Sequence, residues 1–306
     1  HYDLAKKGLQ ARKHVICEKP LALSAEEGKE LTALAEAGTL VSAMNLNVRA
    51  YPLLQQIHAM IVNGTIGEVF AVNGSYQQDW LFKDTDYSWR LEPKFSGKTR
   101  AVADIGTHWF DTVEYITGER IKRVFADFAT FHKKRKKPLK PVETYSGKIL
   151  QPEDYEEVTI DTEDYANIQL HFSGGAHGSF TANQVAAGRK NRIWFEIYGS
   201  KCSVAYDSEV PNQLWIGHRD KSNEIMVKDP SLLAPEARTY NSYPGGHCEG
   251  FADTVKHTMI RIYQDILRIP EERKHDYPQF KDGYRELQLC DAIYESARTD
   301  RWVEIP

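Results

Sequence analysis

His14-Val15-Ile16-Cys17-Glu18-Lys19-Pro20 is the stretch from which the fold is read. A short apolar run that ends in a charged, proline-containing loop fits a buried parallel strand handing its C-terminal end to a loop. Upstream, Leu4 to Leu9 carry helical spacing. Downstream, Ser24 precedes Glu26 and Glu27 and caps a helix whose apolar positions Leu31, Leu34 and Ala35 run toward Gly38. Leu40 to Met44 then reads as a second strand. Helix, strand, helix, strand is the second half of a Rossmann-type doubly wound α/β domain. The first half is missing from the sequence, which opens on His1 inside this pattern, so a fragment of a longer chain is expected.

From Pro52 the pattern changes. A helix to about Ile61, a turn at Asn63-Gly64 and a strand from Glu68 to Tyr76 follow in order. Farther on, Ala166, Ile168, Leu170 and Phe172 alternate with Asn167, Gln169 and His171, and Ile193, Phe195 and Ile197 repeat the period of two. These predict strands of a sheet covered on one face. Two closing helices carry Phe251, Val255, Met259, Ile262, Ile266 and Ile269, then Leu287, Cys290, Ile293 and Ala297. Residues 1–46 are therefore expected to be the C-terminal part of the dinucleotide-binding domain. Residues 47–306 are expected to be an α+β domain with a large open, mixed or mostly antiparallel sheet flanked by helices.

The bulk numbers narrow the class. With 306 residues, 41% hydrophobic and 27% charged, the chain has the balance of an ordinary globular protein. A net charge of −4 supplies no field that calls for nucleic acid or an anionic membrane, so the expected ligand is a small molecule. The four cysteines, Cys17, Cys202, Cys248 and Cys290, are widely spaced and read as reduced thiols of a cytoplasmic protein; no motif calls for a metal. No run of eighteen apolar residues is present and the first thirty residues lack a signal-peptide layout. Gly97-Lys98-Thr99 imitates a phosphate loop, but Glu92 stands where its first glycine belongs. Gly174-Gly175-Ala176-His177-Gly178 is read as a hairpin turn, the basic run His132 to Lys137 as a solvated loop, and Glu153, Asp154, Glu156 and Glu157 as wet surface.

Chemistry concentrates in Asp104-Ile105-Gly106-Thr107-His108, at the head of the apolar helical pattern Trp109, Phe110, Val113, Tyr115 and Ile116. Residues four apart share one helix face, so carboxylate and imidazole would point into the same space as an acid/base pair. A second reading is equally open: Asp104 caps the helix and His108 is a satisfied core histidine. Lys19 tips the balance, because it lies just past the end of a parallel strand, where open α/β sheets bind ligands. A lysine there lowers the pKa of a hydroxyl and stabilises an alkoxide.

Three ordered blocks carry a family resemblance over essentially the whole chain: Arg12 to Ala22, then Asn47, Arg49 and Pro52, then Asp104, Gly106 and His108. The chain resembles the glucose-fructose oxidoreductase, inositol dehydrogenase and MocA family (Gfo/Idh/MocA). Gln77-Gln78-Asp79-Trp80, Trp89-Arg90 and Tyr243-Pro244-Gly245-Gly246-His247 look similar to its branches acting on pyranose sugars such as levoglucosan. The resemblance implies an NAD- or NADP-dependent dehydrogenase of a sugar or polyol, and the large open sheet expected in the second domain offers a surface for a homodimer or homotetramer. The resemblance also implies Lys19, Asp104 and His108 as catalytic residues, with His108 taking the hydroxyl proton. Glu18, Lys19, Pro20 and Asn47 would border the nicotinamide, and Gln78, Trp80 and His247 are the substrate candidates. Two other readings within the family stay open, a glycosidase that uses NAD for transient oxidation and a non-catalytic ligand sensor. The sequence departs from the family pattern in lacking the Gly-x-Gly-x-x-Gly loop, so a chain starting at His1 is expected to hold the cofactor poorly.

Overall fold

The computed structural model describes residues 1–140 and 154–306. Helix α1 (Tyr2–Gln10) leads into strand β1 (Val15–Cys17), helix α2 (Ala25–Glu36) and strand β2 (Ser42–Met44). The two strands pair in parallel with Val15 opposite Ser42. Ser24 caps α2 as expected, its hydroxyl accepting the Glu27 N–H at 3.3 Å. Leu9, Cys17, Leu21, Leu31 and Met44 pack together with Phe280 and Leu287, so this unit shares a core with the last helix. The Lys19–Pro20 peptide is cis.

Pro52 starts α3 (Pro52–Val62), where a missing N–H costs nothing. Strand β3 (Val69–Gln77) follows, then a short helix α4 (Pro93–Ser96) and α5 (Thr107–Thr117). Strands β4 (Ile121–Ala129), β5 (Lys134–Pro138), β6 (Tyr155–Thr159), β7 (Tyr165–Phe172), β8 (His177–Asn183), β9 (Arg192–Gly199), β10 (Ser203–Asp207), β11 (Gln213–Gly217) and β12 (Glu224–Val227) come next. A short α6 (Pro235–Arg238), then α7 (Phe251–Ile266), α8 (Phe280–Thr299) and β13 (Val303–Glu304) complete the chain. Ile269 lies beyond the end of α7 and is exposed.

Nine strands form one sheet in the order β12-β11-β10-β9-β3-β8-β7-β4-β13. Only β3 and β8 pair in parallel, so the sheet is mixed. One face is covered by α3, α5 and α8 through Leu53, Ile57, Trp109, Phe110 and Ile293. The close seating of α5 depends on Gly74, where an added Cβ would sit 2.3 Å from the Trp109 indole nitrogen and 2.4 Å from the Trp194 carbonyl. That nitrogen donates to the same carbonyl at 3.1 Å, which fixes the height of α5 above the sheet. The glycine-rich segment is the β7–β8 hairpin, with Gly175 at φ +96°.

One expectation is overturned. The basic run is not a solvated loop: Lys134–Pro138 is strand β5, paired antiparallel with β6. Period-two alternation turns Arg135 fully inward while Lys134 and Lys136 face solvent. Glu156 and Glu157 on β6 are exposed, whereas Glu153 lies outside the described residues.

Candidate active site

The end of β1 and the head of α5 meet in a cavity of about 320 Å³ lined by Glu18, Lys19, Pro20, Trp89, Arg90 and Asp104. Lys19 Nζ lies 3.1 Å from Asp104 Oδ1 and also donates to the Asp104 carbonyl oxygen. Val102–Gly106 forms one wide π-helical turn, in which the Thr107 N–H reaches back to the Val102 carbonyl. The turn also changes the geometry expected from a four-residue spacing. Asp104 makes no hydrogen bond with His108; its carboxylate is held by Lys19, by Arg90 Nε at 3.2 Å and by Gln184 Nε2 at 2.9 Å.

His108 is 9% exposed, faces the Tyr76 ring at a centroid distance of 6.2 Å, and has no hydrogen-bond partner at Nδ1. Burial, and then the Lys19 charge, outweigh the pull of Asp104 and lower the imidazole pKa to about 3. The ring is neutral across the physiological range. For Asp104, burial on its own would favour the acid, but Lys19 and Arg90 outweigh it and the net shift is downward. Asp104 is thus an ionised carboxylate paired with Lys19, and His108, four residues on, is a neutral imidazole that does not itself line the cavity.

Behind Asp104 runs a buried polar chain with no counterpart in the sequence reading. Gln184 Oε1 accepts from Arg100 Nη1 at 3.0 Å, and Arg100 is paired with Asp164. Asp164 in turn accepts from Arg135 at 2.8 Å and from the Phe131 and His132 N–H groups at 2.8 and 3.0 Å. The inward residue of the basic run therefore anchors the support of the site.

The remaining candidates are spread out. Glu18 accepts from the Asn45 amide at 2.6 Å, and the Asn45 Oδ1 is buried without a partner. Asn47 sits away from that edge: it is 2% exposed and its amide donates to Thr254 Oγ1 on α7. Gln78 bonds to the Trp80 indole and to Asn191, both at 2.7 Å, and Arg90 lies 5.7 Å from the Trp80 ring centroid. His247 is on an exposed loop, with Nδ1 3.5 Å from the Gly245 carbonyl, and does not line the Lys19 cavity. Arg90 and Gln184 were missed because neither stands in a motif; only the Trp89-Arg90 pair gave a local hint.

Comparison with known proteins bears on the family and the fold. Residues 1–45 match the model of the oxidoreductase family with an NAD-binding Rossmann fold, and residues 54–205 match the GFO/IDH/MocA C-terminal domain. Levoglucosan dehydrogenase from Pseudarthrobacter phenanthrenivorans is 29% identical, over 100% of this chain and 77% of that protein. An oxidoreductase domain protein from Kribbella flavida has a solved structure 32% identical, with a TM-score of 0.86, covering 100% of this chain and 78% of that one. A levoglucosan dehydrogenase structure in complex with NADH and levoglucosan is 28% identical, with a TM-score of 0.86, covering 100% of this chain and 77% of that one. The chain belongs to the Gfo/Idh/MocA family of NAD-binding oxidoreductases.

Proposed function

We propose that this protein oxidises a secondary hydroxyl of a sugar or polyol at the Lys19–Asp104–His108 cleft. The observation that carries this reading is the Lys19–Asp104 ion pair, which ties the end of β1 to the turn leading into His108. Similarity to levoglucosan dehydrogenase supports a pyranose substrate.

The residues at the cleft fit the nicotinamide end of NAD. Pro20, Trp89 and Phe95 offer flat apolar wall beside the Glu18 and Lys19 side chains. Glu18, Lys19 and Pro20 would hold that end, whereas Asn47 is turned toward α7 and Asn45 only steadies Glu18. The chemistry supplied by the bound nicotinamide is hydride acceptance.

Lys19 polarises the substrate hydroxyl and stabilises the alkoxide charge as it develops, while Asp104 fixes the ammonium in place. His108 is neutral, and the lone pair of its unprotonated ring nitrogen takes the hydroxyl proton. The imidazolium so formed is stabilised by the ionised Asp104 one turn earlier. Gln184 and Arg90 keep Asp104 ionised through the cycle.

The domain boundary proposed is 46/47. The uncovered face of the sheet, with Phe70, Ile225 and Val227 exposed, supports self-association as a dimer or tetramer. The four unpaired cysteines support a cytoplasmic setting.

The test, made on a full-length protein with a complete dinucleotide-binding domain, is steady-state turnover of levoglucosan and a polyol panel with NAD, alongside NADH binding by fluorescence. His108→Asn is expected to abolish turnover with cofactor affinity nearly intact, and Lys19→Ala to cost roughly 100- to 10,000-fold in rate. Unaltered turnover in either variant would sink the assignment.

A further inference from the structure

A second cavity, of about 260 Å³, lies among Arg49, Gln55, His58, Tyr115, Arg261 and His275 and shares no lining residue with the Lys19 cleft. It is slightly smaller than the roughly 300–1,000 Å³ of sites for drug-sized ligands, so it suits a compact molecule.

Its cations differ in one respect. Four cationic side chains of the described residues belong to buried residues: Arg100, Arg135, Lys228 and Arg261. Arg100 and Arg135 share Asp164, and Lys228 is paired with Glu249 at 2.7 Å. Arg261, 9% exposed, has no carboxylate within ion-pair distance among the described residues. Its partners are neutral: Thr239 Oγ1 at 2.8 Å, the His257 carbonyl at 3.3 Å, and the Tyr240 ring, whose centroid is 3.2 Å from the guanidinium carbon. A guanidinium has five N–H donors, and these contacts leave donors for the cavity. Burying a charge is unfavourable unless something opposite in sign meets it.

The other walls are consistent with an anion. Arg49 is already matched by Asp111 and Asp282, so it neither competes for a counter-ion nor repels strongly. His58 stacks on Tyr115 with centroids 4.6 Å apart, and its Nδ1 is taken by the Ile116 carbonyl at 3.2 Å. His58 Nε2 remains as its atom for a ligand. The acid of the rim is Asp276, which is exposed and therefore solvated rather than directed onto Arg261.

We propose that this cavity binds a small oxyanion, a carboxylate or phosphate group on a compact metabolite, with Arg261 as its principal partner. The site is independent of the Lys19 cleft.

Titration calorimetry of the protein with inorganic phosphate and with malonate, each against potassium chloride at matched ionic strength, tests it. Saturable binding of one or both is expected, and the better ligand identifies the oxyanion. Arg261→Gln should raise Kd by roughly 10- to 100-fold, the usual consequence of losing a charged hydrogen-bond donor, while Lys19→Ala should leave it unchanged. Absence of saturable binding, an unchanged Kd in folded Arg261→Gln, or loss of binding in Lys19→Ala each overturns the proposal. Should Arg261→Gln fail to fold, the imidazole NMR resonances of His58 and His275 in the unaltered protein decide. Phosphate or malonate must shift them, and stationary resonances overturn the proposal.

Discussion

Helix α5 separates two buried ionisable clusters that obey opposite rules. Before its first turn, Asp104 and Asp164 are met by Lys19, Arg90, Arg100 and Arg135. Along its body, Asp111, Glu114, Asp282 and Glu286 share Arg49 and Arg285, with Arg120 at the edge. Where cations outnumber carboxylates, burial is overridden and Asp104 and Asp164 are driven toward the ionised form. In the carboxylate-rich cluster Asp282 is still held down, against its burial, by Arg49, but two acids move the other way. Burial raises Asp111 to about 6 against the pull of Arg49, and burial with Asp111 and Glu114 raises Glu286 well above its ordinary value. Glu286 accordingly keeps an Oε2 without a partner. The charges that face a buried acid, more than its depth, decide whether it is an anion.

The largest test removes the shared anion of the first cluster. Asp164→Asn leaves Arg100 and Arg135 buried without a carboxylate and should destabilise the fold by about 3–5 kcal/mol in denaturant titration. A loss below about 1 kcal/mol would mean that the two guanidinium groups are not held by charge.

Gln184→Leu is a gentler break, since it removes no charge, only the hydrogen bonds that Gln184 donates to Asp104 Oδ2 and accepts from Arg100 Nη1. Turnover should fall about tenfold. In the unaltered enzyme kcat/KM should show no acid limb near pH 6.5, because His108 sheds its proton at about 3 and Asp104 is lowered too. The variant should shift that limb upward in pH as Asp104 loses a stabiliser of its anion. A fall in rate with an unmoved profile would assign Gln184 to packing alone.

Glu286→Gln probes the crowded side. Because Glu286 has a raised pKa when folded, the native state binds more protons than the unfolded chain above the unfolded value of about 4.5. Its contribution is complete below that value and is lost as pH rises through the folded pKa. The glutamine variant should stay within about 1 kcal/mol of the parent at neutral pH and show a flatter decline of stability as pH increases. An unchanged slope would show that Glu286 is ionised in the native state.

The smallest effect is expected next to the largest one. Lys134→Met removes an exposed pair with Glu157 and should leave the midpoint of denaturant unfolding almost unmoved, although it adjoins Arg135 in the same basic run. A clear drop in the midpoint would show that the β5–β6 hairpin depends on its outer face as well.

Much of the fold was legible because its signals are local. The strand at Val15–Cys17, the Ser24 cap and the alternation of Tyr165–Phe172 each rest on a period of two or 3.6 that a short window contains. The motif blocks likewise marked Lys19, Asp104 and His108. The π-helical turn was not legible, since Val102–Gly106 has an ordinary helical composition and the wider turn arises where α5 is pinned to the sheet through Trp109 and Gly74. Nor was Arg135, whose neighbours on both sides are exposed lysines.

The sequence by itself determined the family, the two-part architecture and the residue types at the reactive turn, because periodicity and motif spacing are properties of neighbours along the chain. Only the tertiary structure decided which charges meet. It joined Asp104 to Lys19 rather than to His108, brought Arg135 and Arg100 to one aspartate, and left Arg261 with none. The reason is physical: the energy of a buried charge depends on what lies within a few ångströms of it, and those groups come from positions dozens of residues apart.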